Sequence, residues 1–135
     1  MGAIMRNSLR TALAIAAMTA AAHAWAADPA PKAPKAYVIG EVNVTDPATY
    51  KTYAEKTSPI VAKFGGIYIA RGGQTVPVEG AGPAGRIVVI QFPSLAAAKV
   101  FEASAEYLKV APIRQRSSTG RFFIVEGTPF ERSGP

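Results

Sequence analysis

The stretch Tyr37-Val-Ile-Gly-Glu-Val-Asn-Val44, followed by Asp46-Pro47, decides how the fold begins. It is rich in β-branched residues, and Val38, Val42 and Val44 share one side of the predicted strand. Asp46 supplies an N-cap side chain, and Pro47 has the φ angle of a first helical turn. The stretch therefore predicts a β-strand that is followed at once by a helix.

The predicted first helix has one apolar stripe at three- and four-residue steps. This stripe consists of Tyr50, Tyr53, Ala54, Thr57, Val61 and Phe64. We expect Pro59 to kink the helix after Ser58, because proline lacks a backbone N–H. Gly65-Gly66 is expected to end the helix by allowing a left-handed cap.

Three more strands and a second helix follow along the chain. The strands are predicted at Ile67–Arg71, Arg86–Phe92 and Arg121–Glu126. Gly72-Gly73 indicates a bulge or a sharp bend after the second strand. The order β-α-β-β-α-β is the split pattern of the ferredoxin-like fold, an α+β sandwich whose antiparallel sheet carries its helices on one face.

The second helix is predicted to open at Pro93-Ser94 and to bury one of its faces. The residues on that face are Ala97, Phe101, Ala105 and Leu108. Ser104 is placed to recap the chain and divide this helix in two, and Pro112 is expected to end or bend it.

The third predicted strand is apolar on both sides. It has Ile87 and Val89 on one side and Val88, Ile90 and Phe92 on the other, and the fourth strand alternates in the same way. Helices cover only one face of such a sheet, so the other face needs a separate cover. We therefore predict a homodimer that packs the open sheet face on a second copy, as a dimeric α/β barrel.

The first 26 residues are typical of a cleaved secretory signal peptide. Arg6 and Arg10 precede a weakly apolar, alanine-rich run, which is followed by small residues at the spacing that signal peptidase prefers. The run is shorter than the roughly 20 residues that span a bilayer, so no stable membrane insertion is expected after cleavage. Cleavage is predicted after Ala26, with Ala24 as the alternative. The general secretory route then predicts a periplasmic location.

Cleavage after Ala26 divides the chain into regions of different composition. The predicted regions are a proline- and alanine-rich linker at 27–35, the ferredoxin-like domain at 36–127 and a flexible tail at 128–135. Removing two of the 15 basic residues leaves 13 against 9 acidic ones, a net charge of +4. This modest, scattered charge argues against a nucleic-acid partner, which calls for a concentrated basic face.

The remaining residue types exclude several chemistries. The chain has no cysteine, and its only histidine, His23, lies in the leader. Nucleophilic triads and zinc or haem sites built on these residues are therefore excluded from the mature chain. The carboxylates show no metal-ligand spacing, and neither glycine cluster fits a P-loop or a dinucleotide fingerprint. We predict no metal site and no cofactor.

Several motifs together resemble a bacterial family, domain of unknown function 1330. The motifs are Ala36–Ile39, Val44–Pro47, Phe64–Gly66, Ala70–Gly73, Glu79-Gly80, Gly85–Ile90, Phe92–Ser94 and Ser104–Tyr107, within a match over about 36–127. The resemblance implies the dimeric α/β-barrel superfamily of ferredoxin-like folds, which also contains cofactor-independent monooxygenases and haem-degrading enzymes. Gln91 stands where the family commonly has an acidic residue, so a general base at that position is not expected here.

Arginines and tyrosines are the candidate functional side chains of the domain. We predict that Arg71 and Arg114 bracket a pocket and hold a ligand carboxylate through paired N–H donors. The other candidates are Tyr53, Tyr107 and Gln91, in a cleft between helices and sheet. The alternatives are that the arginines are solvated or paired with Glu79, Glu106 and Glu126, and that the tyrosines of the first helix belong to the core.

Three functions are consistent with these observations. The first is a periplasmic homodimer that binds a small acidic or aromatic molecule without turnover. The second is a cofactor-independent enzyme of the monooxygenase or isomerase type, in which tyrosine or arginine stabilises an anion. The third is a structural or interaction protein whose function is the dimer itself.

Overall fold

The computed structural model describes Ala30 and residues 32–129. The predicted signal peptide, its cleavage site and the tail from residue 130 lie outside the described residues. The described part of the predicted linker, Ala30 and residues 32–35, has no regular secondary structure. None of the helices in this part of the chain is long and apolar enough to cross a membrane.

Four strands and three helices form an α+β fold in the predicted order. The elements are β1 Ala36–Val44, α1 Pro47–Lys63, β2 Ile67–Arg71, β3 Arg86–Phe92, α2 Leu95–Ala103, α3 Ala105–Ser117 and β4 Ser118–Glu126. Neighbouring strands are antiparallel, in the sheet order β2-β3-β1-β4. This is the ferredoxin-like arrangement that the sequence predicts. β4 begins three residues earlier than predicted, because Ser118 already pairs with Val44 of β1.

Helix α1 begins and ends where the sequence predicts. The Asp46 carboxylate accepts a hydrogen bond from the Thr49 backbone N–H at 3.1 Å, which caps the helix. Gly65, with φ of 80°, ends it. Between these signals the helix runs uninterrupted through Pro59, the position of the predicted kink.

The predicted division of the second helix at Ser104 is confirmed. Ser104 leaves the helical conformation at ψ 144°, and its hydroxyl accepts from the Tyr107 N–H at 3.2 Å to cap α3. The prediction that Ala105 and Leu108 face the core is wrong, since both are exposed and Tyr107 and Ala111 are buried instead. The break resets the helical phase, so one periodicity does not hold across it.

Helix α3 also contains Pro112 in its interior and continues to Ser117. Pro112 therefore does not end the helix. The length of α3 matters for the site described below, because it carries both Tyr107 and Arg114 on the same helix.

The core lies between the helices and one face of the sheet, called here the covered face. Its least exposed large side chains include Phe92, Phe101 and Val42, each at most 1% exposed. The opposite or open face exposes large apolar side chains, with Ile67 at 59% and Phe123 at 47%. The structure thus confirms a sheet that has its helices on one face and apolar residues on both.

Candidate functional site

A group of tyrosines and arginines lies on the covered face of the sheet, beside α1 and α3. We call it the arginine–tyrosine cluster, and its members are Tyr50, Tyr53, Tyr68, Arg71, Arg86, Tyr107 and Arg114. The first five of these line a cavity of about 30 Å³ together with Val88, Ile90 and Phe122. This volume is enough for a few small atoms at the floor of a cleft between helix and sheet.

An irregularity in β2 brings two cluster members to the same face. Tyr68 pairs with Ile90 and Arg71 with Val88, and the register shifts between Tyr68 and Ala70. Side chains three residues apart in a regular strand point to opposite faces. The bulge therefore places both Tyr68 and Arg71 beside the buried side of β3.

Arg71 connects β2 to the middle of α1. Its guanidinium donates to the Ala54 carbonyl at 3.0 Å and to the Ser58 hydroxyl at 2.8 Å. Ser58 in turn donates to the Ala54 carbonyl at 2.7 Å. Arg71 is thereby fixed at the edge of the cavity, although its side chain remains exposed to solvent.

Each arginine of the cluster lies over an aromatic ring. The guanidinium carbon is 4.3 Å from the Tyr68 ring centre for Arg71, 5.3 Å from that of Tyr50 for Arg86, and 4.1 Å from that of Phe122 for Arg114. Cation–π contacts of this kind stabilise a guanidinium without neutralising its charge. The three positive charges are therefore retained on the covered face.

The three cluster arginines have no carboxylate partner among the described residues. The ion pairs found there are Lys51–Glu55, Lys63–Glu106 and Arg121–Glu41. The Nε atoms of Arg86 and Arg114 are buried and have no hydrogen-bond acceptor in this part of the chain. Two donors on charged groups are therefore left without an acceptor among the described residues, and a negatively charged acceptor would suit them best.

Tyr50 and Tyr53 keep their protons at neutral pH. Burial raises the pKa of Tyr50, and the nearby charges of Arg86, Arg114 and Arg71 only partly oppose it. Burial also raises the pKa of Tyr53, whose hydroxyl lies 3.4 Å from that of Tyr107. The hydroxyls of Tyr50 and Tyr53 are therefore hydrogen-bond donors rather than bases.

The structure brings together four of the five predicted site residues. Tyr53 and Arg71 line the cavity, Tyr107 contacts Tyr53, and Arg114 lies over a ring of the cavity wall. Gln91 is separated from them, because it pairs with Tyr37 and Ile67 on the open face. Residue 91 alternates with the buried residues on either side of it and so points away from the cluster.

Sequence reasoning left Arg86, Tyr50, Tyr68 and Phe122 out of the site. The signal for Arg86 was present, because it precedes Val88 and Ile90 at two-residue steps and must share their face. Tyr68 and Phe122 depend on the β2 bulge and on strand pairing, which no local pattern reveals. Tertiary pairing, rather than local sequence, therefore brings Tyr68 and Phe122 to the cavity.

The side chains near the cluster are arginines and tyrosines, with few groups that bind metal ions. The described residues contain no group of three or more metal-ligating side chains. The carboxyl of Glu102 lies beside Phe122 and Phe123, and burial raises its pKa. The site therefore offers arginine and tyrosine donors to an anion rather than carboxylates to a cation.

Known structures share this fold. A protein of unknown function from Rhodopseudomonas palustris is 15% identical with a TM-score of 0.58, over 73% of this chain and 86% of that one. SnoaB, a cofactor-independent oxygenase from Streptomyces nogalater, is 15% identical with a TM-score of 0.52, over 71% and 95% of the two chains. At this identity, the likeness shows the fold alone.

The sequence comparisons identify the family. None of the curated proteins compared with this sequence matches it. The family model of the domain of unknown function DUF1330 matches residues 35–128, which include every strand and helix described above. The chain therefore belongs to the DUF1330 family.

Proposed function

We propose that the protein is an exported homodimer that binds a small acidic molecule in the cleft between helices and sheet. The arginine–tyrosine cluster holds the acidic group of this molecule. The sequence favours either an acidic or an aromatic ligand, and the unpaired guanidinium groups favour the acidic one.

One observation carries this proposal. Arg71 and Arg86 line one cavity, Arg114 lies over the Phe122 ring of its wall, and none of the three meets a carboxylate among the described residues. A buried donor on a charged group is costly when it has no acceptor, and Nε of Arg86 and of Arg114 are such donors. A bound carboxylate would accept from them and offset the positive charge of the cleft.

Export and dimerisation complete the proposal. The alanine-rich leader after Arg6 and Arg10 supports secretion to the periplasm. The exposed apolar side chains of the open face, among them Ile69, Phe123 and Val125, support a second copy packed on it. In that arrangement the ligand clefts lie on the outer, helix-covered sides of the dimer.

The ligand is tested by native mass spectrometry of protein isolated from the periplasm. We expect the wild-type protein to carry a small acid, and Arg71→Ala to lose it while remaining a dimer. Arg116→Ala is the control, since Arg116 is an exposed arginine on α3 outside the cluster. Equal ligand occupancy in the wild type and in Arg71→Ala would contradict the proposal, and a wild-type protein without any ligand would favour a purely structural dimer.

A second function is an enzyme that needs no cofactor. Burial raises the pKa of Tyr53, so its hydroxyl stays protonated, 3.4 Å from the Tyr107 hydroxyl and beside a positive cleft. This arrangement is suited to stabilising an anionic intermediate. The similarity in fold to the oxygenase SnoaB gives this alternative further, weaker support. Oxygen consumption or product formation with the isolated ligand would establish an enzyme, and its recovery unchanged would establish a binding protein.

A further inference from the structure

We infer that the arginine–tyrosine cluster takes a compact aliphatic carboxylate of one or two carbons and excludes aromatic acids. This inference rests on the proposed anion-binding function and narrows its ligand by size. It is carried by the volume of the cavity, the packing of its walls and the positions of the unpaired donors.

The cavity is too small for an aromatic ring. Its volume is about 30 Å³, whereas a cavity that binds benzene measures about 150 Å³. Pockets for larger organic ligands measure about 300–1,000 Å³. A carboxylate with one small substituent is the largest acid that the present walls accommodate.

Four of the eight residues that line the cavity belong to the core and resist expansion. Tyr50, Tyr53, Val88 and Ile90 are each at most 8% exposed. Phe122 fills the space above Gly40, which has no side chain and lies against that ring. Enlarging the cavity would require these close-packed groups to move, at a cost typical of overpacking.

The donors suit a single carboxylate group. Arg86 lines the cavity, and its Nε atom is buried without an acceptor among the described residues, while its terminal nitrogen donates to the Arg71 carbonyl at 3.2 Å. Arg71 is already hydrogen-bonded to Ala54 and Ser58, so it contributes positive charge at the edge of the cavity.

The protonated hydroxyls of Tyr50 and Tyr68 add neutral hydrogen-bond donors beside the two arginine charges. Two oxygens on one carbon match this set better than several dispersed acidic groups.

The inference is tested by calorimetric titration of the purified protein with acetate and with benzoate in a low-chloride buffer at pH 7. We expect acetate to bind at least about tenfold more tightly than benzoate, since the ring would overpack the walls. Arg86→Gln should weaken acetate binding by about tenfold or more, as loss of a charged hydrogen bond does. Arg116→Gln should leave it unchanged.

A variant with a larger cavity tests whether the cavity walls exclude acids larger than acetate or whether such acids simply bind weakly. Val88→Ala removes part of a wall, so propionate should gain affinity relative to acetate. Val89→Ala is the matched control, because it makes the same change one residue along β3 on the open face. Thermal denaturation would verify that each variant folds.

The outcomes distinguish the inference from the proposed function. If benzoate binds as tightly as acetate, and Arg86→Gln loses this binding, the size limit is wrong but the anion site is supported. Binding of neither acid would contradict the anion site itself. An equal gain for propionate in Val88→Ala and Val89→Ala would also overturn the inference.

Discussion

The two faces of the sheet are both apolar but differ in what packs on them. The covered face buries Val42 and Phe92 under helices, and it still accommodates three arginines over aromatic rings. The open face exposes Ile67 and Phe123 and pairs its arginine, Arg121, with Glu41 at 3.3 Å. Positive charge is thus neutralised on the face proposed for dimerisation and left unpaired on the face proposed for the ligand.

The largest expected effect follows from placing a charge on the open face. Phe123→Glu should convert the dimer to monomers, because an unpaired carboxylate buried in the interface costs about 3–5 kcal/mol. Twofold symmetry would bury two of them. Leu108→Glu is the control, since Leu108 is also exposed, at 57%, but lies on α3. Sedimentation velocity at micromolar concentration measures both variants.

Two results of that experiment would contradict the comparison of the faces. If the wild-type protein sediments as a monomer, the apolar open face does not require a second copy packed on it. Equal dissociation by Phe123→Glu and Leu108→Glu would place the dimer contact elsewhere.

A smaller effect is expected on the covered face. In Gly40→Ala the added methyl group would overlap the Phe122 ring and force it toward the cavity. We expect a loss of about 1–2 kcal/mol in the free energy of unfolding, as in overpacked cores. Gly73→Ala has open space around the new methyl group and should change stability by less than about 0.5 kcal/mol. Urea denaturation compares the pair, and an equal effect would show that Phe122 is not confined.

The smallest expected effect concerns Glu102, beside Phe122 and Phe123. Burial raises its pKa, although Arg114 opposes this. Folding raises the pKa of this carboxyl above its unfolded value of about 4.3. The full stability of the folded state is therefore present below about pH 4.3, where the carboxyl is protonated. Stability is lost as pH rises through the folded-state pKa, because the buried group then becomes charged. Glu102→Gln should therefore be more stable than the wild type at pH 7, by less than about 1 kcal/mol because solvent screens the site.

The pH dependence of this variant gives the sign of the effect. The advantage of Glu102→Gln should shrink as pH falls toward 4, where Glu102 itself becomes protonated. Glu55→Gln serves as the control, since Glu55 is exposed on α1 and its ion pair with Lys51 is long at 3.9 Å. A stability difference that grows on acidification would contradict the assignment of Glu102 as a desolvated carboxyl.

The fold could be predicted because its signals are local. The Asp46-Pro47 start of α1, the Ser104 cap and the alternation of β3 each act within a few residues. The prediction failed where it carried one periodicity across a break. Ser104 resets the helical phase, so Leu108 is exposed rather than buried.

The site was harder to predict because it depends on register between distant strands. Gly72-Gly73 predicts a bulge or a bend, and the chain bends at Gly72, but the register shift that brings Arg71 to the covered face lies earlier, between Tyr68 and Ala70. Gln91 was grouped with Tyr53 and Tyr107, yet its strand alternation alone places it on the open face. Arg86 could have been found by the same alternation, so the sequence contained more of the site than the prediction used.

The most direct test of the account observes the side-chain Nε–H resonances of arginine by NMR during titrations with acetate and, separately, benzoate. We expect the signals of Arg86 and Arg114, whose Nε atoms are buried without an acceptor among the described residues, to shift on binding, while that of exposed Arg116 does not. If neither acid moves the Arg86 and Arg114 signals, or if Arg116 shifts equally, the cluster on the covered face is not an anion site.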